Sequence, residues 1–273
     1  MVKKLLKRIE LVILLLVMQV ELENDLRHAL ARDEMELFFQ PQYQASSGGM
    51  VGAEALLRWN HPTRGMLSPG LFVPIIEDTG LIVPIGQWVL EEACRKFMEW
   101  REQGIALQRI AVNVSARQFR NDDFLSVVKD IIFRTGIRPE QLELELTESI
   151  LMEDVESAME VLQGLRTMGV RTAIDDFGTG YSSLNYLKQF PVDTLKIDRS
   201  FIQNLPENAD DAQISRTIIA MGHNLGMGII AEGVETADQL AFLQAASCEE
   251  VQGFYFSRPV AESDFIGLIK SVI

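Results

Sequence analysis

Cysteine, histidine and tryptophan are scarce: the chain of 273 residues holds two, three and three of them. Cys94 and Cys248 lie far apart, which argues against a disulfide framework and fits a reducing cytosol. His28, His61 and His223 have no zinc-ligand spacing, so any metal should be a hard cation with oxygen ligands. Positive charge is also short, with 25 Lys and Arg against 39 Asp and Glu and a net charge of -14. Phosphate backbones are held mainly by Lys and Arg, so neither DNA nor RNA is an expected partner. A small phosphate-bearing substrate stays open if metal ions supply positive charge locally. The chain has no low-complexity tract and no sequence repeat.

Long apolar runs are lacking too. Leu11 to Met18 follows Lys3, Lys4, Lys7 and Arg8, but it is too short to cross a hydrocarbon core of about 30 Å as a helix. No clear small-residue cleavage site follows it. Leu22, Leu26 and Leu30 instead continue at the spacing of one helical face. Residues 1–34 therefore read as a helical lead-in or linker, and residues 35–273 as one domain expected in the cytoplasm. The alternative for the apolar run is peripheral or inner-membrane association.

What is present after residue 35 is an alternation of short apolar runs with longer amphipathic stretches. Strands are expected at 37–42, 51–59, 109–116, 141–149, 170–178, 194–198, 228–235 and 249–256. Helices are expected at 83–103, 117–135, 154–168, 181–189, 210–225, 236–246 and from 262 to the end. Strands that alternate with helices call for a parallel sheet, because parallel neighbours need a crossover. Eight such units close into an α/β TIM-like (β/α)8 barrel, and the length fits. An open doubly wound sheet is weakened by the lack of a GxGxxG turn after the first strand. The QASSGG turn (44–49) leaves no room for a helix, so the first strand should run antiparallel to the rest.

Nearly every expected strand ends in an acid, an amide or a lysine, and in such a barrel those ends converge on one mouth. Strand alternation places Glu54 with Arg58, Glu143 with Glu145, Lys196 with Asp198, and Gln252 with Glu250. Asp176 joins Asp175 only if the strand ends there, which the following FGTG makes plausible. Glu54, Asn113, Glu145, Asp175, Asp176 and Glu232 packed into one mouth need cations, because close carboxylates otherwise take up protons. Oxygen-only ligands select magnesium or manganese, and this many carboxylates could hold two ions. Each residue alone has an ordinary use. Asp175 and Asp176 with Gly178 and Gly180 could be a tight turn, Glu148 a capping-box member, and Lys196 a partner of Asp198. Structural acids would scatter, whereas these gather at the same end of successive strands.

The motifs EALLRWNHP (54–62), NVSARQF (113–119), ELTES (145–149), IDDFGTGYSSL (174–184), LKID (195–198), AEGVE (231–235) and QGFYFSRP (252–259) resemble the signature set of EAL-domain cyclic-di-GMP phosphodiesterases. The resemblance covers about residues 35–260. It implies that Glu54, Asn113, Glu145 and Asp175 hold one metal, and that Asp175 bridges to a second held by Asp176 and Glu232. It implies that Lys196 orients and activates the attacking water, with Glu232 as a candidate base, and that Gln252 contacts the metal-water cluster or the substrate. Arg58 would pair with a substrate phosphate, which suits its fork geometry. Glu148 would steady the DDFGTGYSSL loop, which also carries homodimer contacts. The substrate would be cyclic-di-GMP, the product linear pGpG, and an upstream sensor or regulatory domain a common companion. The main alternative is a cyclic-di-GMP receptor without turnover, against which stands the absence of any departure at the ligand, lysine or DDFGTG positions. A different barrel enzyme using Lys196 as a Schiff base is disfavoured, because a lysine among carboxylates stays protonated.

Overall fold

Only residues 45–49 separate the first strand from the second, too few for a crossover, and the two pair antiparallel. The structure, a computed structural model, describes residues 19–180 and 184–272. The apolar run from Leu11 to Met18 and the basic residues before it lie outside the described residues, as do residues 181–183.

Helix α1 (19–29) precedes β1 (Met35–Gln44), β2 (Met50–His61) and the short β3 (Gly65–Leu67). Helices α2 (Pro69–Thr79) and α3 (Ile82–Glu102) lead to β4 (Arg109–Asn113), and α4 (Ala116–Phe119) and α5 (Phe124–Thr135) lead to β5 (Leu142–Thr147). Next come α6 (Glu148–Glu153), α7 (Val155–Met168), β6 (Arg171–Phe177), α8 (Leu184–Leu187) and β7 (Thr194–Ile197). Helix α9 (Ala209–Leu225), β8 (Gly228–Ala231), α10 (Ala237–Ala245), β9 (Glu250–Val251), β10 (Val260–Ala261) and α11 (Glu262–Val272) complete the order.

Strands β2, β4, β5, β6, β7, β8 and β9 are successive parallel neighbours. β1 closes the ring antiparallel to both β2 and β9, with Gln40 opposite Glu54 and Tyr43 opposite Val251. The result is the expected eight-stranded α/β barrel with one reversed strand, while β3 and β10 pair on its outside with β2 and β1. Leu142, Leu144 and Leu146 are buried against the surrounding helices. Phe39 of β1 meets Trp100 of α3 edge-on with ring centroids 4.7 Å apart, and Phe265 of α11 closes the cluster. Helix α1 docks through buried Leu22, Leu26 and Ala29, and Asp25 meets His61 at 3.1 Å.

Several boundaries differ from expectation. Helix α2 and strand β3 were not foreseen, because Pro62 and Pro69 read as breaks at the joins between elements. Pro69 occupies the first helical turn, where no N–H is needed. Pro74 forfeits one helical hydrogen bond, and burial of Phe72, Ile75 and Ile76 offsets it. The expected helix 117–135 is split into α4 and α5, and α6 precedes α7. The expected helix 181–189 is described only as Leu184–Leu187, and the strands expected at 228–235 and 249–256 stop at Ala231 and Val251. Gly253 explains the last of these: a Cβ there would lie 2.1 Å from the Val234 carbonyl oxygen, so the chain turns tightly across its neighbour instead of extending. Among the described residues, no helix is long and apolar enough to cross a membrane.

The lumen is polar. Side chains from β1, β4, β5, β6, β7 and β9 meet one another, which they can do only across the barrel interior. Arg109 donates to Glu143 at 2.9 Å, to Gln42 at 3.0 Å and to both oxygens of Glu250. Glu143 also accepts from Thr194 at 2.8 Å and Arg171 at 3.2 Å. Burial pushes the Glu143 carboxyl up, but Arg109 and Arg171 outweigh it and hold it below the usual carboxylate range. This layer is electrically self-contained, and Arg109→Met breaks it by stranding Glu250 and one oxygen of Glu143. The variant should lose about 3 kcal/mol of stability, read as a lower urea midpoint by circular dichroism. An unchanged midpoint would show that the layer does not hold the barrel.

Candidate active site

Above the neutral layer the strand ends bring a second set of polar side chains together. Glu54 lies within β2, Asn113 ends β4, Glu145 lies in β5 and Lys196 in β7. Glu232 and Gln252 stand immediately beyond β8 and β9. Ala111 and Ala173, both fully buried, leave the floor narrow enough for these side chains to meet.

Lys196 is fully buried and directs its ammonium at three carboxylates, Glu145 at 2.6 Å, Glu232 at 2.8 Å and Asp175 at 3.1 Å. Burial alone would push its pKa down, but Asp175, Glu145, Glu232 and Glu54 hold it well above the ordinary lysine value. Lys196 is therefore an ammonium, and its partner is not Asp198, which instead caps the turn at Ser200. Glu54 is held from both sides by amides. Asn113 donates to one oxygen and Gln252 to the other, each at 2.5 Å.

Asp176 reaches the mouth by a route that alternation does not supply. Strand β6 runs on to Phe177, but its pairing with β7 slips between Ile174 and Phe177. Asp176 takes a left-handed conformation at φ 53°, tolerated by Asp better than by most residues. Its N–H donates to the Asp175 carboxylate at 3.0 Å. Consecutive aspartates thus face one way, and Asp175, Asp176 and Glu232 each offer an oxygen within 4.8 Å of the others.

One ammonium faces Glu54, Glu145, Asp175, Asp176 and Glu232. Burial, with Glu54, Asp175 and Glu232 adding repulsion, drives Glu145 well above the usual range against the pull of Lys196. Burial likewise raises Glu232 to about 8, with Asp175 and Glu54 adding to it and Lys196 opposing. Asp176 is raised by burial and then by Asp175 and Asp198. The Glu145 Oε1 atom is buried without any hydrogen-bond partner. An orphaned carboxylate oxygen beside a cluster made only of oxygen donors fits a hard divalent cation.

A cavity of about 230 Å³ opens over this cluster, lined by Gln40, Glu54, Asp175, Arg199, Glu232 and Gln252 among others. Arg58 does not line it; its guanidinium donates to the Leu57 carbonyl at 2.8 Å and lies 5.3 Å from the Phe38 ring centre. Glu148 is buried at the start of α6 and accepts from the Gly178 N–H at 3.1 Å. A Cβ at Gly180 would fall 2.7 Å from its other oxygen, so glycine there lets the loop close on Glu148. Sequence reasoning missed Gln40 and Arg199. Alternation along β1 points Gln40 inward, and Arg199 directly follows a strand end, so both carried a usable signal.

The sequence profile of the EAL domain matches residues 23–259. This chain belongs to the EAL domain family. It is 47% identical over 251 residues to the bifunctional diguanylate cyclase/cyclic di-GMP phosphodiesterase MucR of Pseudomonas aeruginosa, covering 92% of this chain and 37% of that protein. It is 43% identical over 242 residues to the cyclic di-GMP phosphodiesterase NbdA of the same species, covering 89% of this chain and 31% of that protein. The chain thus spans about a third of the length of these curated relatives. The structure of the PaMucR phosphodiesterase in its c-di-GMP complex matches with a TM-score of 0.87 at 47% identity, covering 90% of this EAL domain and 99% of that chain.

The charge imbalance has a measurable consequence. Between its ordinary value of 4.5 and about 8, folded Glu232 keeps a proton that the unfolded chain has released. Stability therefore falls as pH rises through that window. Glu145 and Asp176 are raised as well and act in the same sense, whereas Lys196 is raised above 10.5 and contributes nothing there. In chelator, the melting temperature should decline from pH 5 to pH 8, and saturating Mg2+ or Mn2+ should flatten the slope. A profile in chelator that is level or rises would contradict these burial effects.

Proposed function

We propose that this EAL domain hydrolyses cyclic-di-GMP to linear 5'-pGpG in a reaction that depends on Mg2+ or Mn2+, with two ions per site. The observation that carries the reading is the mouth itself, where three carboxylates hold one ammonium, two amides hold Glu54 and Asp176 joins Asp175 and Glu232 beside an open cavity. The naming of MucR and NbdA as cyclic di-GMP phosphodiesterases supports the substrate.

Glu54, Asn113, Glu145 and Asp175 would hold one cation, and Asp175, Asp176 and Glu232 the other. Bound there, the cations supply positive charge that offsets the phosphodiester and makes a water acidic. The protein's own groups do the rest. Asn113 and Gln252 orient the Glu54 carboxylate. Lys196 has all three donors committed to carboxylates in this state, so it serves water only when one of them gives up its share. Glu232 borders both Lys196 and the cavity, where it can accept the proton of an attacking water. Arg199 on the cavity wall and Arg58 further along β2 provide guanidinium groups for the phosphates. Glu148 pins the loop after β6, and the DDFGTGYSSL segment is the proposed homodimer contact. The domain would work in the cytoplasm, joined in a longer protein to a sensor or regulatory module.

Purified protein incubated with cyclic-di-GMP and Mg2+ should produce pGpG, resolved by chromatography. Glu54→Ala should reduce turnover by about 100-fold or more through loss of metal binding, with the far-ultraviolet circular dichroism retained. Tight nucleotide binding without turnover by the unmodified protein would overturn the hydrolase reading in favour of a receptor. Undiminished activity of Glu54→Ala at saturating metal would remove Glu54 from the ligand set.

A further inference from the structure

Between the neutral layer and Glu54 runs a buried line of amides whose polarity is forced at both ends. Arg109 Nη2 donates to Gln42 Oε1 at 3.0 Å, and Gln42 Nε2 donates to Gln252 Oε1 at 3.1 Å. Gln252 Nε2 then donates to Glu54 Oε2 at 2.5 Å and to Gln40 Oε1 at 3.0 Å. Gln40 Nε2 ends the line on the Ser257 carbonyl at 3.0 Å. A guanidinium can only donate, so Gln42 must turn its oxygen to Arg109 and its NH2 to Gln252. A backbone carbonyl can only accept, so the Ser257 end turns the Gln40 NH2 outward and its oxygen to Gln252, which demands the same direction. Reversing Gln252 alone would set its oxygen against Glu54 and its NH2 against that of Gln42.

The starting point is fixed, because Arg109 is clamped by Glu143 and Glu250. Gln42 is completely buried and lies on β1, a strand that supplies none of the residues assigned to the cations. Space for the line is reserved independently. A Cβ at Gly52 would fall 2.9 Å from Gln42 Oε1 and 3.1 Å from Arg109 Cγ.

We infer that Gln42 is a positioning residue, which fixes the Gln252 amide so that it donates to Glu54 and holds that carboxylate in the orientation used at the mouth. The inference rests on the reading of the mouth as a metal-dependent active site. With one lone pair on each Glu54 oxygen taken by an amide, another remains free for a cation. Losing the orientation of one amide removes that preorganisation, a type of change that costs 10- to 100-fold in metal affinity or activity.

The test compares Gln42→Met and Gln42→Glu for Mn2+ affinity by calorimetry, for kcat and KM with cyclic-di-GMP, and for thermal unfolding. Met keeps the volume and removes both contacts. Glu keeps the bond from Arg109 but cannot donate, so it draws the Gln252 NH2 toward itself and turns the Gln252 oxygen on Glu54. Mn2+ affinity should fall about 10-fold in Gln42→Met and further in Gln42→Glu. In a Gln252→Leu background, neither Gln42 substitution should weaken Mn2+ binding further. Changes in melting temperature with Mn2+ affinity and kcat intact would make Gln42 merely structural and overturn the inference. Losses that persist in the Gln252→Leu background would overturn it too. If Gln42→Glu does not fold, Gln42→Met decides alone. An unmodified protein that neither binds Mn2+ nor turns over substrate would instead refute the functional reading on which the inference stands.

Discussion

The buried ammonium of Lys196 is the contact on which the upper half of the barrel depends. It lets Glu145, Asp175 and Glu232 approach one another inside a low-dielectric lumen, where they would otherwise repel or take up protons. One positive charge cannot balance the carboxylates gathered there. The remainder is visible as an orphaned Glu145 oxygen and as raised proton affinities at Glu145, Asp176 and Glu232. The mouth thus carries more negative charge than its one ammonium offsets, and its oxygen ligands are of the kind that a hard cation would take.

The layer beneath makes the contrast clear. Arg109 and Arg171 face Glu143 and Glu250, the charges cancel, and the donors find acceptors. Balanced buried charge holds a fold together, whereas unbalanced buried charge marks a place where something must bind. The two layers are neighbours along the same strands, two residues apart at Glu143 and Glu145. Gln42 and Gln252 connect them, so the rigid layer can set the orientation of groups in the chemical one.

Much of this was legible in the sequence, because strand alternation and the convergence of strand ends are local rules with global consequences. They placed Glu54, Asn113, Glu145, Asp175, Lys196, Glu232 and Gln252 at one mouth, and the short first turn foretold the reversed strand. What was not legible has identifiable causes. The inclusion of Asp176 depends on a left-handed residue and a slipped register, neither of which follows from a period of two. Helix α2 hid behind its prolines. Lys196 aligned with Asp198 along its own strand, yet its partners come from β5, β6 and the end of β8, across a lumen that no spacing rule describes. Alternation along β1 points Gln40 and Gln42 inward, but what they bind there depends on neighbours across the barrel that no spacing rule names.

Without a cation, Glu145, Asp176 and Glu232 hold protons that a bound cation would displace. Calorimetric titration of Mn2+ into the protein at pH 7, repeated in buffers of different ionisation enthalpy, counts the protons displaced. Heats should vary with the buffer and correspond to about one proton or more released per chain at pH 7, with fewer released as the pH rises past the Glu232 value of about 8. Heats independent of the buffer at pH 7, with Mn2+ bound, would contradict that release.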